Sequence, residues 1–315
     1  MSRILITGAA GFVGSHTVEL AAQRNHSITA IDNFNHYYDP TIKHSNAALL
    51  KQKFDVKVLH VDLANDQLTD LLDKIDVVIH LAGQPGVRES WSTFHTYVKD
   101  NIQATERLLA GCREVGVQRI IYASSSSVYG NAQTFPISEE HATIPYSPYG
   151  VTKLAGEHLV RAFGANFGIE FACLRYFTVY GPRQRPDMAF ARLINSSLSG
   201  QPFVLHGSGM QVRDFTFVGD VARANLLAAE SNQPISLIAN IAGGTACSMN
   251  EVVELIGATA GSEPSIIRSE HVAGDVYRTG ALIEVANREL NWMPEVRLIE
   301  GLRLQYEHTR CSTSE

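Results

Sequence analysis

Short β-branched runs alternate with longer mixed stretches through the first half of the chain. Arg3–Thr7, Ser27–Ile31, Val56–Val61, Asp76–Leu81, Arg119–Ala123 and Glu170–Tyr176 read as strands. Phe12–Arg24, Asp66–Leu72, Phe94–Val115 and Pro148–Phe167 read as helices between them. Strands that are apolar at almost every position are buried on both faces. A helix between successive strands makes them parallel. The pattern predicts an α/β fold, a parallel sheet covered on both sides.

After Tyr176 the rhythm changes. Thr178–Asp187 carries Gly181, Pro182 and Pro186 and reads as a loop. Met188–Ser199 reads as a short helix, Val212–Val218 as a strand, Val221–Glu230 as a helix and Ile235–Ile241 as a strand. Met249–Gly257, Ala281–Leu290 and Leu298–Thr309 read as helices of a smaller unit. The expected organisation is a first domain over 1–176 with a return segment at about 212–242. A smaller α/β substrate domain takes 177–211 and 243–315, grown from insertions at the carboxyl edge of the sheet. There are no internal repeats and no low-complexity linker.

Bulk properties exclude some function classes. The 315 residues are 45% hydrophobic and 18% charged, ordinary for a soluble globular protein. A net charge of −6 gives no case for nucleic acid or an anionic membrane as partner. The first apolar run, Ile4-Leu5-Ile6, is too short for a signal-peptide core, and no later run spans a bilayer. Cys112, Cys173, Cys247 and Cys311 are scattered without a C-x-x-C pair, as expected of reduced thiols in a cytoplasm. His80, His206 and His271 show no metal-ligand spacing, so they read as structural and no metal site is expected.

The chemistry begins at the first turn. Gly8-Ala9-Ala10-Gly11-Phe12-Val13-Gly14 lies between the first strand and the first helix. Gly8 permits a tight turn, Gly11 lets the backbone approach a pyrophosphate, and Gly14 allows close helix–strand packing. Asp32 ends the second strand, where a carboxylate accepts from ribose hydroxyls and repels a 2′-phosphate. That favours NAD over NADP. Asp62, followed by Leu63, comes after the third strand and is placed to meet the adenine. Leu81-Ala82-Gly83 ends the fourth strand beside the phosphates. Together these features predict a Rossmann-type, doubly wound sheet with NAD as cofactor.

Tyr149 and Lys153 form an acid/base pair. Ser147 can cap a helix, Pro148 suits its first turn, and the two residues then share a face at i and i+4. Half-ionising a tyrosine at pH 7 needs a shift of about 3 units, roughly 4 kcal/mol. A lysine ammonium ~6 Å away supplies roughly 3 kcal/mol at an effective dielectric of ~20. The nicotinamide charge and the helix amino terminus are left to supply the rest, so Tyr149 should ionise most readily with oxidised NAD bound. The serine cluster Ser124–Ser127 ends the strand before this helix. It therefore stands at the sheet edge where ligands bind, and one hydroxyl there can relay the proton.

These residues resemble the extended short-chain dehydrogenase/reductases, and within them the nucleotide-sugar epimerases and dehydratases. The resemblance covers nearly the whole chain, and includes Ala123–Gly130 (ASSSSVYG), Leu174–Pro182 (LRYFTVYGP) and Arg213–Asp220 (RDFTFVGD). It implies that Ser125 is the catalytic Ser/Thr, that Asn101, Tyr176 and Phe177 touch NAD, and that Arg213 binds a UDP diphosphate. Gly274-Asp275-Val276 matches a substrate-side motif, with Asp275 in it. Asp32–Pro40 (DNFNHYYDP) and Tyr180–Ala189 (YGPRQRPDMA) are similar to the UDP-glucuronate 4-epimerases and close UDP-hexose relatives. By that likeness Asn33, Asn35 and Lys43 serve the cofactor, with Lys43 at its ribose. Gly86, Val87, Arg88, Arg185 and Arg192 serve the substrate. Thr178 stands where many galactose-type epimerases carry Asn, a departure that uronate epimerases share. Family members commonly dimerise through two long helices, here Phe94–Val115 and Pro148–Phe167. A homodimer seam is therefore expected, with Leu108, Leu109, Leu159 and Phe163 as candidates alongside core packing.

The serine row narrows the reaction. Relatives that remove water across C5–C6 carry an Asp-Glu pair where this chain has Ser126 and Ser127. Decarboxylating relatives generally carry Glu at the Ser127 position. Without a carboxylate there, proton abstraction at C5 is disfavoured. What remains is 4-epimerisation of a UDP-sugar through a transient 4-keto form, with UDP-glucuronate the leading substrate. Tyr149, assisted by Ser125, takes the C4 hydroxyl proton as C4 gives up hydride. The ketone turns over, and hydride returns to its other face. A 4-keto uronate is prone to losing carbon dioxide, so Ser126, Ser127 and Thr178 are expected to hold the carboxylate, with Arg185 on the rim. One rival is an epimerase of UDP-glucose or UDP-N-acetylglucosamine. Thr279 would give it room, standing where galactose-type enzymes can hold a bulky residue. A dehydratase or decarboxylase ranks below it. A non-catalytic NAD sensor is the remotest reading, because the Tyr/Lys pair is present.

Overall fold

Alternation within buried strands organises the larger part of the protein, a computed structural model that describes residues 1–270, 274 and 276–312. The elements run in this order: β1 (Arg3–Thr7), α1 (Phe12–Gln23), β2 (Ser27–Asp32), α2 (Pro40–Phe54), β3 (Val58–His60), α3 (Thr69–Leu72) and β4 (Val77–His80). Next come α4 (Phe94–Tyr97), a π-helical turn (Val98–Gln103), α5 (Ala104–Val115), β5 (Arg119–Ser125), a 3₁₀ turn (Ser126–Tyr129), α6 (Pro148–Phe167), β6 (Glu170–Tyr176) and β7 (Thr178–Tyr180). Then follow α7 (Ala189–Ser199), β8 (Phe203–His206), β9 (Val212–Phe217), α8 (Val218–Glu230), β10 (Ser236–Ile241), β11 (Ala246–Ser248), α9 (Met249–Ala260), β12 (Ile266–Ser269), α10 (Glu284–Leu290) and α11 (Leu298–Ser312).

Seven strands form one parallel sheet in the order β10-β6-β5-β4-β1-β2-β3. In β1, Ile4 and Ile6 join the core on one face with Val18, Leu50 and Val221, while Leu5 joins the core on the other with Leu72, Leu108 and Val160. The fold is the Rossmann-type α/β class. The order reverses between β1 and β4, which opens a crevice at the strands' carboxyl ends. A three-stranded sheet (β11-β9-β7) and a two-stranded one (β12-β8) build the smaller part, packed with α7, α9 and α11.

The structure differs from the sequence reading in several places. Within 212–242, α8 and β10 join the large part, but β9 pairs with β7 and β11. Ala286, Leu290 and Trp292 pack into the large core rather than the smaller one. The 178–187 segment opens with strand β7 rather than loop. The Phe94–Val115 helix is interrupted by the π turn. Leu108 and Leu109, candidates for a dimer seam, are each 1% exposed in the core, and Leu159 and Phe163 pack against that core. Those helices expose Phe94, Val98 and Val151 instead. No helix among the described residues is long and apolar enough to cross a membrane.

Candidate active site

Two adjoining cavities occupy the crevice. The first is lined by Gly8, Gly11, Phe12, Val13, Gly14, Asp32, Asn33, Asn35, Lys43, Asp62, Leu63, Leu81, Ala82 and Gly83, all expected on the cofactor side, together with Tyr37, Tyr38 and Asp100. The backbone there suits a dinucleotide. Gly8 has φ +66, and a Cβ on it would lie 2.8 Å from the Ala82 nitrogen. A Cβ on Gly14 would lie 1.9 Å from the Gly8 oxygen, so α1 packs directly on the end of β1. No side chain caps α1 and no acid stands in its first turn, which leaves its N–H groups for a pyrophosphate. Asp32 is 5% exposed. Its carboxylate accepts from the Ala10 nitrogen at 3.1 Å and the Phe34 nitrogen at 2.8 Å. Lys43 Nζ bridges Asn35 Oδ1 at 2.8 Å and Asp32 Oδ1 at 3.5 Å. Asp62 also braces its own turn, accepting from the Ala64 nitrogen, Asn65 Nδ2 and Lys99 Nζ.

Asn101 stands apart from the other cofactor residues, since it lines neither cavity. It is 1% exposed beneath the Gly83-Gln84 turn. Its Oδ1 accepts from the Gln84 nitrogen at 2.7 Å, and its Nδ2 donates to Thr152 Oγ1 at 3.0 Å. It ties the cofactor-side turn to α6.

The second cavity, of about 620 Å³, brings together Ser125, Ser126, Ser127, Tyr149, Lys153, Tyr176, Phe177 and Thr178. Gly86, Val87, Arg88, Arg185, Arg192 and Arg213 complete its predicted lining. Ser147 caps α6 through a bond from the Gly150 nitrogen at 3.2 Å, with Pro148 in the first turn, and this starts Tyr149 at the crevice. Ser125 ends β5 at the same cavity as Tyr149, and its Oγ accepts from the Ser127 nitrogen at 3.1 Å. Burial pushes the Tyr149 phenol above its ordinary value, opposed by Ser125 and then by the Arg185 guanidinium. Ser125 and Arg185 are counterweights that the i, i+4 spacing of Tyr149 and Lys153 does not reveal. Lys153 is itself desolvated, down to about 8, with Nζ 4.5 Å from the centre of the Tyr122 ring. Tyr176 donates to Asn225 Oδ1 at 2.6 Å.

On the substrate side, Arg185 is held bidentately by Asp187, with both bonds 2.9 Å long, and it lines both cavities. Arg192 lies 5.4 Å from the Phe203 ring. The Arg213 guanidinium donates to the carbonyls of Val212, Tyr277 and Val276. Asp275 and His271 lie outside the described residues. His80 bridges Thr7 and Thr105 hydroxyls in the core, but His206 lies on the cavity wall, bonded to Ser269 Oγ at 2.6 Å. Phe203, Leu205, Gln211, Phe215 and Met249 also line the wall and were not anticipated.

Comparison with known proteins agrees with this geometry. The NAD dependent epimerase/dehydratase family matches residues 4–242. An uncharacterized UDP-glucose epimerase of Bacillus subtilis is 41% identical over 302 residues, covering 95% of each chain. A UDP-glucuronate 4-epimerase of Thermodesulfobacterium geofontis is 35% identical, covering 96% of this chain and 94% of that one. Among solved structures, UDP-glucuronic acid 4-epimerase from Bacillus cereus, in complex with UDP-glucuronic acid and NAD, superposes with a TM-score of 0.95. It is 39% identical, covering 98% of this chain and 99% of that one. The chain belongs to the NAD dependent epimerase/dehydratase family.

Proposed function

We propose that the protein interconverts UDP-glucuronate and UDP-galacturonate by NAD-dependent 4-epimerisation. The observation that carries this reading is the hydroxyl wall beside Tyr149. Ser126, Ser127 and Thr178 face the same cavity, and no carboxylate stands in their row. Hydroxyls can hold a uronate carboxylate, and without an acid/base group there the C5 proton stays in place. Arg185 supplies a cation at the edge, and Arg192 and Arg213 supply two more for a diphosphate.

Bound NAD supplies the acceptor and donor of the C4 hydride. The remaining work falls to side chains. Tyr149 takes the C4 hydroxyl proton and later returns it, and Ser125 holds that oxygen and relays the proton. Lys153 favours the tyrosinate once the site is filled. A 4-keto uronate loses carbon dioxide most readily when its carboxyl bond aligns with the carbonyl π system, and the hydroxyl wall holds the carboxylate out of that geometry. The chain's relatives also support a neutral-hexose reading. A side cavity of about 200 Å³ bounded by Thr279, Tyr146 and Gly274 leaves room for a sugar substituent.

Incubation with a panel of UDP-sugars, without added NAD, and product identification by NMR tests the reading. The expected product from UDP-glucuronate is UDP-galacturonate. A UDP-pentose as main product would sink it, and turnover of neutral sugars alone would favour the second reading. The free cysteines suit a cytoplasmic protein. The exposed Phe94, Val98 and Val151 suit a homodimer seam, which sedimentation of wild type and V151D would test.

A further inference from the structure

Below Lys153, one more turn along α6, lies Glu157, fully buried. Its carboxylate accepts from Arg175 Nε at 3.0 Å and Nη2 at 2.5 Å, and from Ser124 Oγ at 2.8 Å. Arg175, on β6, also donates through Nη1 to the Tyr129 hydroxyl at 2.8 Å. Tyr129 in turn donates to Asn240 Oδ1 at 2.6 Å on β10. Ser124 and Tyr129 flank Ser125, Ser126 and Ser127, and each is 2% exposed. The hydroxyl row is thus tied at both ends to one guanidinium–carboxylate pair. A buried pair of this kind contributes little net stability, because desolvating both charges offsets their attraction. Its placement calls for another account.

We propose that Glu157 and Arg175 are positioning residues for catalysis: as one buried pair they clamp Ser125–Ser127 at both ends and hold Lys153 in its charged form. The proposal rests on the reading that Tyr149 and Lys153 catalyse the reaction.

The groups facing Lys153 bear this out. On α6 they are Tyr149 and Glu157. From the sheet they are Tyr122 on β5, Cys173 on β6 and His80 on β4. The His80 imidazole is driven to about 3 by burial and then by Lys153, so it stays neutral. Burial pushes the Cys173 thiol well above its ordinary value, so it stays protonated. Tyr122 is likewise held neutral by burial. At neutral pH Glu157 is therefore the one anion among these groups. It works against the desolvation that lowers Lys153.

The test uses holoenzyme labelled at lysine Cε, with the Lys153 signal assigned against K153R by NMR. E157Q should lower the Lys153 titration midpoint by about one unit relative to wild type. The alkaline limb of kcat should move with it, so that turnover at pH 8 falls about fivefold with KM little changed. S124A, which removes one anchor and no charge, should lower kcat several-fold and leave the Lys153 titration in place. An unmoved Lys153 midpoint in E157Q, or wild-type kcat in S124A, overturns the proposal. If E157Q does not fold, because the Arg175 guanidinium is left buried alone, the paired variant E157Q/R175Q replaces it; it removes a cation along with the anion, so the Lys153 midpoint should fall by less than one unit, and an unmoved midpoint overturns the proposal. A wild type that turns over no UDP-sugar refutes the proposed function, yet the Lys153 titration still decides the charge-holding role.

Discussion

Lys153→Met separates what the ammonium costs the fold from what it does for the chemistry. Lys153 is 7% exposed. Burial brings its pKa from 10.5 to about 8, against the opposing pull of the Glu157 carboxylate. Between those values the unfolded chain binds a proton that the native site has released. Wild-type stability therefore rises with pH across that window, and the full penalty is present below about 8. A shift of about 2.5 units is roughly 3 kcal/mol at pH 7. That shift is already net of the ammonium's contact with the Tyr122 ring, so methionine should gain about 3 kcal/mol at pH 7. In a chain of this size that is roughly 4–5 °C in Tm. At pH 9.5 the penalty has fallen to about 1.4 kcal/mol, so the advantage should fall by more than half. Scanning calorimetry of the nucleotide-stripped proteins at pH 7 and 9.5 measures both. A K153M protein less stable than wild type at pH 7, or a stability gap flat in pH, refutes the reasoning. Turnover should fall by about 10²–10⁴ in the same variant.

Other outcomes follow from the same geometry. Tyr149→Phe should lose turnover by about 10²–10⁴ while binding NAD, as equilibrium titration would show. Phenolate absorbance of wild type minus Y149F should reveal a Tyr149 that ionises at lower pH with oxidised NAD than without. Identical titrations would contradict that. Asp214, 2% exposed, is raised by burial from 3.8 to about 6, opposed by N–H donors from Ala281, Gly243 and Gly244. The native state binds the extra proton across that window. Stability should fall by about 3 kcal/mol as pH rises through it. Urea unfolding of D214N should show a flatter pH dependence. Gly83→Ala places a Cβ 2.7 Å from Asn101 Oδ1, the acceptor of the Gln84 N–H. Displacing that bond should weaken NAD binding about tenfold, measured by calorimetry.

What could be read from the chain was mostly what is local. Helix α6 was legible at both ends because Ser147 and Pro148 start it and Gly168, at φ +73, stops it. Helix α2 was not, because only Lys43, Asn46 and Leu50 of its residues are buried and no apolar stripe exists to read. Strands β7, β8, β11 and β12 are too short for alternation to declare itself. Asn101 carries no local sign of its role, which depends on a π turn and on Gln84 and Thr152 arriving from elsewhere.

The catalytic pair shows the same division within one helix. That Tyr149, Lys153 and Glu157 share a face follows from their spacing alone. The sign of the resulting shifts does not, because the desolvation that dominates Tyr149 and Lys153 arises from elements far away in the chain. A charge count along α6 predicts a depressed tyrosine, yet the folded site raises it and depresses the lysine instead. The reaction's identity therefore rests on which side chains are present, and its energetics on how dry the sheet makes them. A bound dinucleotide changes that dryness and charge together. Tyr149 should therefore be measured with and without NAD before its pKa is assigned to Lys153.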